Sequence, residues 1–140
     1  MTNYKKRKKM KENHKVKTEI SIGELVDKIT ILEIKLKRIK SKEKLENIQK
    51  ELSALLKVYN KLDIQKIRPL QSKLSLINEQ LWIIEDDIRD KERKKEFDNL
   101  FIELARSVYI TNDKRFNIKE EINNLFNSNI KEVKSYQNYN

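Results

Sequence analysis

A chain of 140 residues is one domain long, and with 39% charged against 37% hydrophobic residues it can still bury a core. One Gly and one Pro exclude a β-sandwich or barrel, whose tight turns need those residues, and any Gly-rich phosphate loop. The absence of Cys excludes disulfides, thiol nucleophiles and Cys-ligated metals, and the single His, His14, stands in a Lys-rich arm.

That arm is the first element. Residues 1–19 carry eight Lys or Arg against Glu12 and Glu19, a net +6, whereas the rest of the chain holds the remaining +4 of the total +10. Lys5, Lys6, Arg7, Lys8, Lys9 and Lys11 are its densest part. They would neutralise several phosphates, which gives salt-sensitive, non-specific contact with a nucleic acid or an anionic membrane surface. The plainer reading is a disordered solubilising tail, because Lys, Asn and Ile make up 57 of the 140 residues, the bias of an A- and T-rich genome. In such a chain the seven Arg residues weigh more than any Lys, since a guanidinium is planar, multidentate and always charged.

Helical periodicity begins at Ile22 and continues through Leu25, Ile29, Leu32, Leu36 and Ile39, a single face at spacings of three and four. Ser21 as N-cap and Glu24 three residues on make a capping box, which predicts a helix over 22–40. A second helix follows Ser41, with Leu45, Ile48, Leu52, Leu55, Tyr59 and Leu62 on its face, so the first two form an antiparallel hairpin. The pattern lapses over 63–68, and Pro69 fits the first turn of a third helix that buries Leu70, Leu74, Ile77, Leu81, Ile84 and Ile88. A fourth is predicted over 98–127, from Phe101 through Leu104, Val108, Thr111, Arg115, Ile118, Ile122 and Leu125. It would overhang the first two, and either breaks near Thr111 and Asn112 or is covered by the tail or a second subunit. The expected architecture is all-α: an antiparallel four-helix bundle of two helical hairpins over 20–128, a disordered basic arm over 1–19 and a C-terminal tail over 129–140.

The stretches IGELVDKITILEIK (22–35), LWIIEDDIR (81–89) and IELARSVYITND (102–113) resemble a domain-of-unknown-function family of small, all-helical bacterial and viral proteins. The resemblance covers about residues 20–136 and implies a shared fold and a shared polar site, but no reaction. The charged and polar positions it implies are Glu24, Asp27, Lys28, Glu33, Glu85, Asp86, Arg89, Arg106, Asn112, Asp113 and Arg115. No apolar stretch free of charge spans about 18 residues and no leader pattern is present, so a cytoplasmic protein is expected, in the host cytoplasm for a viral member.

Polar residues at core positions are the functional signal. Arg115 stands on the heptad face of the fourth helix, and Asn78, Trp82, Glu85 and Arg89 form a stripe on the third. A buried Arg needs a carboxylate, and Glu85, Asp27 and Glu33 are the candidates. The network either fixes helix register or lines a pocket for a small anion, with Asp27, Lys28, Glu33, Trp82, Glu85, Arg89, Arg106, Asn112, Asp113 and Arg115 as candidate ligand-binding residues. An enzyme using the same Arg and carboxylate groups is the rival reading, and a magnesium site at Glu79, Glu85, Asp86 and Asp90 its metal-dependent form. Glu85 and Asp86 diverge by about 100° around a helix, so neither a metal nor a cofactor is assigned. A third reading is a homo-oligomer joined through an exposed stripe that includes Val26 and Leu76. In the tail, Ile130, Val133, Tyr136 and Tyr139 either dock on the bundle end or fray.

Overall fold

The computed structural model describes residues 14–140, so Lys5, Lys6, Arg7, Lys8, Lys9 and Lys11 lie outside the described residues. Among the described residues four helices form the fold: α1 (Ile22–Arg38), α2 (Lys42–Tyr59), α3 (Ile64–Lys94) and α4 (Asn99–Leu125). No strand occurs among the described residues, and none of the helices is long and apolar enough to cross a membrane.

Local chemistry sets the helix ends. The Ser21 hydroxyl accepts from the Glu24 N–H at 3.1 Å, but Glu24 does not complete a capping box, because its carboxylate is taken by Lys119 of α4. The Asp98 carboxylate caps α4 by accepting from the Phe101 N–H at 3.0 Å. Between α3 and α4 the chain turns at Lys95, which takes the left-handed conformation (φ 57°) although it is not a glycine. Lys91 offsets that cost by pairing with both Glu96 and Asp98 at 2.9 Å, which ties the turn to the end of α3.

One expectation changes here and one open alternative is decided. α3 starts at Ile64, so Pro69 lies in its second turn rather than its first; the carbonyl that Pro69 leaves without a donor belongs to exposed Gln65, where water can reach it. α4 runs unbroken through Thr111 and Asn112, and the overhang belongs to both long helices. α3 and α4, at 31 and 27 residues, extend about 46 and 40 Å, against about 26 and 27 Å for α1 and α2.

α1 is the central helix, in contact with each of the other three. Val26 and Ile29 are fully buried on it, and Leu25 and Leu32 nearly so. Ile48, Leu52 and Tyr59 of α2, Ile67 and Leu74 of α3, and Ile118 and Ile122 of α4 close the core around them. Val26 is therefore unavailable to an external stripe, whereas Leu76 stands 67% exposed.

The chain's one glycine sits where α1 meets α4. A Cβ on Gly23 would lie 2.4 Å from the Lys119 carbonyl oxygen and 2.8 Å from Asn123 Oδ1, and the Gly23 N–H donates to that same Oδ1 at 2.7 Å. Gly→Ala ordinarily stabilises a helix by about 0.5–1 kcal/mol. At Gly23 the sign reverses, because the atom in the way is backbone and cannot rotate aside. Gly23→Ala should lower the unfolding free energy by about 1–3 kcal/mol, the usual range for overpacking, in urea denaturation followed by circular dichroism.

Candidate functional site

A buried polar layer joins α1, α3 and α4. Asn78 of α3 donates through its amide nitrogen to Asp27 Oδ1 at 2.8 Å and to Thr30 Oγ1 at 2.9 Å, and the Thr30 hydroxyl donates to the Asp27 carbonyl at 2.8 Å. Lys119 of α4 reaches Glu24 at 2.7 Å, Glu132 at 2.9 Å and the second Asp27 oxygen at 3.8 Å. Asp27, Thr30, Asn78, Lys119 and Asn123 are all buried, and among the described residues no buried side-chain nitrogen or oxygen lacks a partner. Burial works against the Lys119 charge, but the bonds from Glu24 and Glu132 and the Asp27 charge more than offset it, so its pKa lies above the usual lysine value. The Glu132 carboxyl is held below the usual glutamate range, chiefly by its Lys119 bond.

On the outer side of this layer lies a cleft of about 410 Å³. α1 contributes Ile31 and Ile34; α3 contributes Asn78, Leu81, Trp82, Glu85, Asp86 and Arg89; α4 contributes Asn112 and Arg115. Asn78 thus faces the cleft and holds Asp27 behind it. At the α1 end, Arg38 binds Glu79 at 2.6 Å and lies 5.7 Å from the Trp82 ring centroid, which fixes the indole as an apolar wall. A second cavity of about 560 Å³ lies between α4 and the C-terminal segment, and Asn112 and Arg115 line both.

The C-terminal segment begins at the bundle end, where Ile130 lines a cavity with Ile22, Leu25, Leu55 and Leu62, and then runs along α4. Ionic and polar side chains hold it: Glu132 on Lys119, Lys134 3.4 Å from Asp113, and Lys131 donating to Asn124 at 2.9 Å. Tyr139 meets Tyr109 with ring centroids 5.3 Å apart. Val133 and Tyr136, at 86% and 82% exposure, are not its anchors.

Of the ten residues singled out in the sequence, Trp82, Glu85, Arg89, Asn112 and Arg115 meet at the cleft, with Asp27 one hydrogen bond behind it. Asp113 lines the second cavity. Three lie elsewhere. Lys28 and Arg106 are exposed and line neither cavity. Glu33 also lines neither; burial pushes its pKa up, and its charge acts on Tyr59 of α2.

The expected partner for Arg115 is also corrected. Glu85 pairs with Arg89 at 2.7 Å, Asp27 with Asn78 and Lys119, and among the described residues half-buried Arg115 has no hydrogen bond or ion pair. The buried cation is Lys119, which sequence reasoning passed over because Arg was given more weight. Its signal was positional, since Lys119 follows Arg115 by four residues beside the same heptad face. The magnesium arrangement does not form: Glu79 is taken by Arg38, Asp90 by Arg93 and Lys94, and no metal-holding group of three His, Cys, Asp or Glu occurs among the described residues.

Lys119→Met should cost about 3 kcal/mol, the lower end for breaking a buried ion pair, because Glu24 and Glu132 can rehydrate and Asp27 keeps Asn78. The variant should also change the pH dependence. The depressed Glu132 pKa gives stability that is present above the unfolded value of 4.5 and lost as pH falls through the lower folded value. Urea titrations between about pH 3 and 6 should therefore show a shallower acid-side loss in Lys119→Met than in the parent.

The chain matches no curated protein and no solved structure. A family of unknown function, DUF6165, matches residues 16–139, which takes in the four helices, both cavities and the C-terminal segment. By that match over nearly its whole length, the chain belongs to DUF6165.

Proposed function

We propose that this domain is a binding module whose interhelical cleft recognises a small anion through Arg115. The observation that carries the reading is the state of that guanidinium. It is half-buried between two cavities, and among the described residues no hydrogen bond or ion pair holds it: Glu132, across the second cavity, feels its charge but is bound to Lys119, and the acids of the layer below are taken as well. A group of this kind gains most from a ligand that offers two oxygens in its plane. Asn112 beside it adds a neutral donor and acceptor, and Ile31, Ile34, Leu81 and Trp82 supply the apolar wall of a small-molecule site.

Binding is favoured over turnover by the state of the acids. Glu85 is held by Arg89, and Asp86 is exposed, so neither sits in surroundings that would ready it for proton transfer.

Trp82, the chain's one tryptophan, lines the cleft, so its emission reports occupancy. Inorganic phosphate, sulfate, acetate, succinate and citrate are the probes. At least one should give a saturable change in emission and, at a hundredfold excess over its dissociation constant, stabilise the fold by about 2.7 kcal/mol. Arg115→Met should abolish the response while changing stability in the absence of ligand by less than about 1 kcal/mol, because no partner is left behind. Arg106→Met, outside the cleft, should keep it. No saturable response to any probe, or equal loss in both variants, would overturn the reading.

A further inference from the structure

From Trp82 to Ile110 the α3–α4 hairpin contains no buried residue, although its apolar spacing runs on to Ile88 in α3 and resumes at Phe97 after the charged turn region 89–96. Ile84, Ile88, Phe101, Leu104 and Val108 are only half-covered, and Leu100 stands 51% exposed. The cause is length: α1 meets α3 at Glu79 and Trp82 through its last residue, Arg38, and α3 runs on to Lys94. Two paired helices cannot cover both sides of their own apolar seam, and two such hairpins can, by closing into a four-helix bundle.

We infer that this outer hairpin is a homodimer interface, docked on the same hairpin of a second copy about a twofold axis. Charge selects the occupant. Residues 82–110 hold eight acidic and six basic side chains, a net −2, in a chain of net +10, so the rest carries +12. Two copies meeting here face only −2 against −2, whereas the rest of the chain taken together sets +12 against +12. Within it an acidic run, Glu85, Asp86 and Asp87, precedes a basic run at the end of α3, Arg93, Lys94 and Lys95, with charges of both signs between them and Glu96 and Asp98 after. An axis passing near Asp90 sets the basic tip of one copy level with the acidic stretch of the other, twice over. Asp86 and Asp87 are exposed and have no ion pair among the described residues, and the tip's cations pair only at the surface, Arg93 and Lys94 with Asp90 and Lys95 with Glu92, exchanges that cost little. A twofold interface has to be self-complementary in this way.

Sedimentation equilibrium of the full chain tests the inference. The parent should sediment as a dimer at micromolar concentration and dissociate more readily as salt is raised. Leu100→Glu should be monomeric with unchanged helix content, whereas Leu76→Glu, on an exposed part of α3 outside the hairpin extension, should remain dimeric. A charge exchange avoids any question of folding, since every position involved is exposed. The doubly reversed chain Asp86→Lys/Asp87→Lys should dimerise poorly with itself and form a heterodimer with Lys94→Glu/Lys95→Glu. A parent that stays monomeric at 100 micromolar, a dimer that survives Leu100→Glu, or reversed chains that do not pair with each other would each overturn the inference.

Discussion

Gly23 lets the first turn of α1 lie against α4 so closely that its N–H bonds directly to the Asn123 side chain and no Cβ fits between. That separation is what brings Glu24 and Asp27 of α1 within reach of a single ammonium group on α4, Lys119. The same contact aims Asp27 at Asn78, which carries the network into α3. A desolvated lysine holds its charge only when acids surround it, and desolvated acids need donors in return. Each member therefore fixes the others, and together they set the register in which α1, α3 and α4 meet. α2 stands outside this network. Its buried Ile48 and Leu52 pack by apolar contact, which specifies register less sharply, and a single hydrogen bond from the Tyr59 hydroxyl to Gln71 ties it to α3.

Much of the fold was legible in the sequence because helices reveal themselves by apolar spacing, and the spacing here is long and regular. The α1 start was readable from Ser21, and the end of α4 lies within two residues of its predicted position. What sequence missed was tertiary. Pro69 marks a helix start by local preference, yet the Ile67 side chain before it is fully buried in the core and draws the helix back to Ile64. Gly23 reads locally as a harmless first-turn residue, and only α4 shows why it has no side chain. Val26 looked like part of a second stripe because α1 is apolar over a wide arc; a central helix with three neighbours has little outside face to spare.

The site shows the same division. The stripe Asn78, Trp82, Glu85 and Arg89 was legible because a shared helix face follows from spacing alone, and all four line the cleft. Which cation meets which acid was not, since that depends on how α4 is rotated against α1. Arg115 and Lys119 are one turn apart, and the structure gives the acids to Lys119. Glu132 was beyond reach for a different reason: it comes from a segment with no periodicity, held by side-chain charge. Preference for Arg over Lys was a statement about chemistry that ignored position. The more deeply placed group took the carboxylates, and the guanidinium one turn away was left to face the cavities.

The cleft and the uncovered hairpin then have one origin. α1 is about 20 Å shorter than α3, and its last residue, Arg38, is spent on Glu79 and Trp82. Inside that point the groove between α3 and α4 is filled by core; at it, Ile31 and Ile34 form one wall of a cavity that Arg115 faces; beyond it, from Trp82 to Ile110, no residue is buried, and the C-terminal segment reaches only Val108 and Tyr109 among the described residues. A longer α1 would have filled the cavity and sheathed the hairpin at once. The two features therefore adjoin on one pair of helices, and Glu85, Asp86 and Arg89 belong to both, as cleft lining and as the start of the charged stretch that a second copy would meet. If the hairpin dimerises there, occupation of the cleft and association of the chains act on the same three side chains, and by linkage each must alter the free energy of the other unless the ligand contacts those residues equally in monomer and dimer.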